Sequence, residues 1–166
     1  MAQSGARATL VALVLTTAVV STSCGASEYA VASLEPLEVV TGWFDDGIVE
    51  GGKNKLVPSV TMRLRNKADA PIRSIQINAI FRRVGEPEMW GEYFGWAIHR
   101  THLQPGAQTD LLVMRSTLGY TGEQPRMQML QNQSFVDAKV EIYLKQGSRV
   151  WAKLAEYPIQ RQLLTQ

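Results

Sequence analysis

Few side chains in this 166-residue sequence have the type and spacing that chemistry requires. Its single cysteine, Cys24, has no second thiol with which to form an intramolecular disulfide. The only histidines, His99 and His102, lie three apart. A helix would bring two such imidazoles to one side, but a regular strand would not. The neighbouring acids Glu86, Glu88 and Glu92 match no metal-ligand spacing, so neither a metal nor another cofactor is expected. Asp45-Asp46-Gly47 lacks the further spaced oxygens of a calcium loop and reads as a turn. There is no G-x-S-x-G, and Thr121-Gly122-Glu123 is not followed by the lysine of a phosphate-binding loop. With no nucleophile beside a base and no recognisable constellation, the chain is not expected to be an enzyme.

The densest chemical feature is aromatic. In Met89–Arg100, MWGEYFGWAIHR, the rings of Trp90, Tyr93, Phe94 and Trp96 fall within seven residues and are interleaved with Gly91 and Gly95. As a strand, this segment puts Phe94, Trp96 and Ile98 on one face and Tyr93, Gly95, Ala97 and His99 on the other. Aromatic rings carry much apolar area and suit a core, which is the expectation here. Rings flanked by glycines and acids also line ligand and protein contacts, so Trp90, Tyr93, Phe94 and Trp96 are the candidate binding residues.

The elements that must position these rings begin after an apolar leader. Residues 1–23 carry Arg7 as their only charge, then the apolar run Leu10–Val20, then Ser21, Thr22 and Ser23. The run is too short for the roughly 20 residues that span a bilayer, and it matches the h-region of a secretory signal peptide. Cys24 follows the small residues directly. The arrangement resembles a bacterial lipoprotein signal, in which the cysteine becomes the lipidated N-terminus of an exported protein. An ordinary signal peptidase cutting before Cys24 is the other reading. The resemblance implies a membrane anchor through an N-terminal lipid. Gly25, in place of an aspartate, implies the outer membrane, facing the periplasm, in a host with two membranes. Residues 24–34, small and polar, read as a flexible tether.

Residues 35–166 read as one domain. Without the leader, sixteen Lys and Arg face fifteen Asp and Glu, which excludes the basic field of a nucleic-acid binder. Strict period-two alternation recurs, and a half-buried strand requires it. Val60, Met62 and Leu64 alternate with Thr61, Arg63 and Arg65, and Ile75, Ile77, Ala79 and Phe81 alternate with Ser74, Gln76, Asn78, Ile80 and Arg82. The two runs read as an antiparallel pair turned at Asn66, Asp69 and Pro71. Leu37–Trp43 is a first strand with a return at Ile48–Glu50, and Gln108–Met114 is another. Val136, Ala138, Val140, Ile142 and Leu144 alternate through a hairpin whose return strand points Val150, Ala152 and Leu154 inward. Arg126–Leu130 fits a strand or one helical turn, and Ile159–Gln166 an edge strand or a tail. No long helical period follows the leader, so an all-β antiparallel sandwich of about seven or eight strands is expected.

The order of three motifs resembles the exported FxLYD-type domains: Leu64-Arg65-Asn66 ending one strand, Ile77–Phe81 in the next, and the turn Leu103-Gln104-Pro105-Gly106 before a third. The likeness spans about Val57–Met114 and implies an immunoglobulin-like topology with no catalytic residues. The functional expectation is a lipid-anchored cell-envelope domain that binds or scaffolds an envelope protein. A small-ligand or glycan binder using the Trp90–Trp96 segment is the alternative.

Overall fold

The structure, a computed structural model, describes residues 26–164. The short helix α1 (Ala26–Ser33) is followed by β1 (Leu34–Val49), a single 3-10 turn, and β2 (Lys53–Asn66). Next come β3 (Ile75–Arg83), β4 (Gly91–Ile98), β5 (Leu112–Arg115) and β6 (Tyr120–Gly122). Helix α2 (Arg126–Gln131), β7 (Ala138–Gln146), β8 (Ala152–Pro158) and β9 (Leu163–Leu164) complete the order. The first sheet runs β5-β2-β1-β9, with β6 also pairing with β2, and the second runs β4-β3-β7-β8. All pairs are antiparallel except β1 with β9.

This is the all-β sandwich expected from the sequence. It has nine described strands, because the very short β6 and β9 join those that the alternation marks. The chain crosses between sheets at β2–β3, β4–β5, β6–β7 and β8–β9, and β7 lands beside β3, an immunoglobulin-like order. Trp43, Val60, Met62 and Leu64 of the first sheet and Ile75, Ile77, Phe81, Val140, Ile142 and Leu144 of the second are buried. Each contributes roughly 1.5–3 kcal/mol by leaving water.

The alternation is right, but several pairings differ from expectation. β2 and β3 do not pair: β2 lies against β1 and β3 against β7 and β4, so Val57–Arg83 bridges the two sheets. Asp45-Asp46-Gly47 is a bulge inside one long β1, where the register shifts between Asp45 and Ile48. Gly47 has φ 87° and donates its N–H to Asp45 Oδ1 at 3.0 Å. The hairpin turns at Gly51 and Gly52, with φ 78° and 72°. Arg126–Gln131 is helical. Ala138, Val140, Ile142 and Leu144 point inward, but Val136 is exposed and Phe135 is buried in its place, since β7 begins only at Ala138. Val150 lies in the turn before β8 and is 82% exposed. Residues 26–33, expected as a tether, form α1, whose Ser27, Ala30 and Ser33 are buried on one side. Gln146 N–H donates to Ser27 Oγ at 3.3 Å and fixes the helix to β7.

The crossover from β2 to β3 depends on Asn66, which is fully buried. Its Nδ2 donates to Ala70 O at 2.9 Å and Leu103 O at 3.0 Å, and its Oδ1 accepts from Ala68 N–H at 2.9 Å. Its backbone holds the Leu103–Gly106 turn, donating to Ala107 O at 3.0 Å and accepting from Gly106 N–H at 2.8 Å. A buried backbone corner must have its polar groups satisfied, and here one amide does most of it. Asn66→Asp keeps the size but sets a carboxylate against two carbonyl oxygens. It is expected to lose about 2–4 kcal/mol in urea unfolding, as is Asn66→Ala. A change below about 0.5 kcal/mol in both would show that the corner is held by something else.

Candidate functional site

β4 is an edge strand, and its outer side pairs with no other strand among the described residues. It divides the four candidate rings between two surroundings. Trp90, just before β4, is half-buried: its ring centroid lies 6.1 Å from Trp43 and 4.8 Å from Tyr120. Phe135 closes the cluster at 4.7 Å from both Trp43 and Tyr120. Arg83 caps it, with its guanidinium 4.9 Å from the Trp90 ring. Trp90 is therefore core, as expected. Tyr93 also points inward, half-buried over Gly95, where an added Cβ would meet its hydroxyl at 2.6 Å.

Phe94 and Trp96 do not join the core. They stand on the outer face of the second sheet, 55% and 42% exposed. The sequence also groups Ile98 with them, but Ile98 is buried. Ile75 pairs with Ile98 while Gln76 pairs with Trp96, so Ala97 is an extra, bulged residue that turns Ile98 to the other face. Alternation alone cannot anticipate that reversal.

The outer face gains a ring that the sequence gives no reason to include. Trp151, just before β8 at the opposite edge, reaches across to Phe94, with ring centroids 5.9 Å apart and an edge-on angle of 75°. Lys145 Nζ lies 5.1 Å from the Trp151 ring. His99 stacks on Trp96 at 4.6 Å and 23°, which fixes the indole in place. A groove of about 630 Å³ runs beside this edge, lined by Trp96, Ala97, His99, Gln108, Asp110 and Leu112 among others. Its walls are β4 and the segment leading into β5.

Farther along the same face the rings give way to charge. Glu141 is paired with Arg82 at 3.0 Å and Lys153 at 3.1 Å. Glu156 is paired with Lys153 at 2.6 Å and Lys139 at 3.1 Å. Burial pushes the Glu141 carboxyl up, but hydrogen bonds from Arg82 and Lys153 outweigh it and its pKa is lowered. The bonds from Lys153 and Lys139 hold Glu156 down at about 2. The Lys153 ammonium is correspondingly raised, first by Glu156 and then by Glu141.

Among the described residues, no group of three or more His, Cys, Asp or Glu could hold a metal ion, and no helix is long and apolar enough to cross a membrane. Cys24 lies outside the described residues. Compared with protein-family models, curated proteins and solved structures, the chain matches none. The arrangement offers shape, rings and an open strand edge, which are the means of recognition.

The charged half of the face sets a pH dependence. Both carboxyls titrate lower in the fold than in an unfolded chain, so their contribution is complete above about pH 5 and is lost as pH falls below the usual carboxylate range, for Glu156 toward about 2. Glu141→Gln is expected to lose about 1–2 kcal/mol at pH 7. In denaturant titrations the gap from wild type should narrow as pH falls below about 5, where wild type takes up the same proton. A gap independent of pH would assign the loss to packing.

Proposed function

We propose that this chain is a non-catalytic, lipid-anchored protein of the cell envelope, exported by its leader, that docks a partner protein along the β4 edge. The observation that carries the reading is the exposure of Phe94 and Trp96 on an edge strand with an adjoining groove. An edge offers a row of backbone donors and acceptors, and an extended segment of a partner can add to it as a further strand. The rings at alternate positions, with Trp96 held by His99, supply anchors that such a segment can pack against. The groove beside β4 gives that segment room. A glycan platform is less well supported, because Trp90 is packed on Trp43 and forms no exposed pair with Trp96.

The anchor is proposed at Cys24, on the pattern of the leader. Cys24→Ala is expected to move the protein from the membrane to the soluble fraction, and unchanged membrane retention would remove the anchor from the reading. For the docking edge, a photocrosslinking amino acid replaces Trp96 in the intact envelope, beside a control at Val40, similarly exposed at 45% against 42% but on β1 of the first sheet. The expected result is a discrete protein adduct from position 96 alone, weakened by Phe94→Ala in a protein that still folds. Equal adducts from both positions, or adducts to glycan only, would overturn protein docking at this edge.

A further inference from the structure

The end of the sandwich that carries α1 differs from the rest of the surface. Register pairs Ile75 with both Ile98 and Gln146, and Leu34 with Asn66. The 67–74 connection, the segment after β4, the β7–β8 turn and α1 therefore meet at one pole. Gln146 Nε2 donates to Arg73 O at 3.2 Å, and Lys67 N–H donates to Ser33 O at 2.8 Å, binding these segments together.

That pole is basic. Lys67, Arg73, Arg100, Lys145 and Arg149 all belong to it, and none is in an ion pair among the described residues. Elsewhere nearly every described cation is paired: Arg82, Lys139 and Lys153 on the sheet, and Arg83, Arg126 and Arg161 at the far end. The acids at or beside the basic pole are Glu28, Glu35, Asp69 and Asp110; Glu35 is bound to Arg65, and Asp110 lines the same groove as Arg100. The opposite pole instead exposes Glu50, Glu86, Glu88 and Glu123. An apolar and an amphipathic side chain stand among the unpaired cations: Val150, 82% exposed, and Tyr29, 51% exposed.

We infer that this pole is a membrane-apposed surface, which rests anionic lipid headgroups against its five cations while Val150 and Tyr29 enter the interfacial layer. The inference rests on the lipid anchor proposed above and adds an orientation to it. Cys24 precedes Ala26 by two residues, a reach of about 7 Å at most. α1 is not a tether, because its buried face and the Gln146–Ser27 bond fix it to β7. A lipid on Cys24 therefore leaves the domain no slack, and the surface around α1 must meet the bilayer. The chemistry there fits: Lys and Arg are drawn to an anionic leaflet, and Tyr prefers the water–hydrocarbon boundary. A lipid together with a basic patch anchors more firmly than either alone.

The test places a genetically encoded fluorescent amino acid at position 150 or, at the far pole, at position 86. The full chain, purified from the envelope of a bacterial host, is bound to phosphatidylcholine vesicles with or without phosphatidylglycerol, containing a headgroup-level lipid quencher. Intact mass of the same sample reports whether Cys24 carries acyl groups. The expected result is strong quenching at 150 and little at 86, greatest with phosphatidylglycerol. In Arg100→Glu/Arg149→Glu, quenching at 150 should require about ten-fold more anionic lipid. Equal quenching at the two positions, or no effect of the double substitution, overturns the membrane-apposed pole whatever the mass of Cys24. Acylated Cys24 with equal quenching overturns the pole and keeps the anchor. Unmodified Cys24 with selective quenching at 150 overturns the anchor and keeps the pole.

Discussion

Asn66 is the constraint on which the rest of this sandwich depends. A strand that leaves one sheet to continue in the other must turn its backbone inside the molecule, where each unpaired donor or acceptor is costly. The Asn66 side chain joins three separate points of that turn, and its backbone holds the Leu103–Gly106 segment on which the chain returns to the first sheet. The neighbouring Lys67 N–H closes the end of α1. One buried amide thus fixes where β3 begins, where β4 and β5 are joined and where α1 ends. Both the groove beside β4 and the basic pole are built from those same segments. A loosened corner would therefore disturb recognition as well as folding.

How much of this is legible in the sequence depends on whether the signal is local. Alternation is a property of one strand, so the inward sets Val60-Met62-Leu64, Ile75-Ile77-Ala79-Phe81 and Ala138-Val140-Ile142-Leu144 can be read directly. Partner choice is not local. β2 and β3 are neighbours in sequence and each has one apolar face, which suits a hairpin and a two-sheet crossover equally well. Only the distant Leu103–Gly106 turn, bound to Asn66, decides between them. Bulges are a second limit, because one extra residue reverses every later face. Ala97 does this to Ile98, and the insertion around Asp45-Asp46-Gly47 resembles a turn while leaving β1 continuous. α1 is hidden for another reason: its buried face is made of Ser27, Ala30 and Ser33, too small to give an apolar stripe.

The candidate face was half legible. The cluster Trp90–Trp96 marks the right strand, but composition cannot divide its rings. The division follows from the other residues at each end. At the far end Trp43, Tyr120 and Phe135 form a pocket of rings into which Trp90 fits, and Arg83 covers it. At the outer face Phe94 and Trp96 stand over Asn78 and Gln76, polar residues of β3 that offer no apolar bed. Trp151 lies more than fifty residues away in sequence and joins Phe94 only because β7 and β8 place it on the same face.

The proposed anchoring and the proposed docking edge constrain each other. β4 runs toward the basic pole, with Gly91 at the far end and Ile98 beside Ile75 at the near end. On a bilayer that meets α1, the strand would stand upright on the membrane, with Trp96 nearer the headgroups than Glu92. Its open edge then faces sideways, parallel to the surface. A segment adding to that edge must come from a neighbour held at the same height, since an extended strand pairs along the full rise of β4 rather than at its tip. A component anchored in the same membrane satisfies this geometry without further cost. A freely diffusing partner would first have to lose its own orientational freedom. With the proposed anchor at Cys24, the short link would raise the effective concentration only of partners that share the membrane, and it would select them by height as well as by shape.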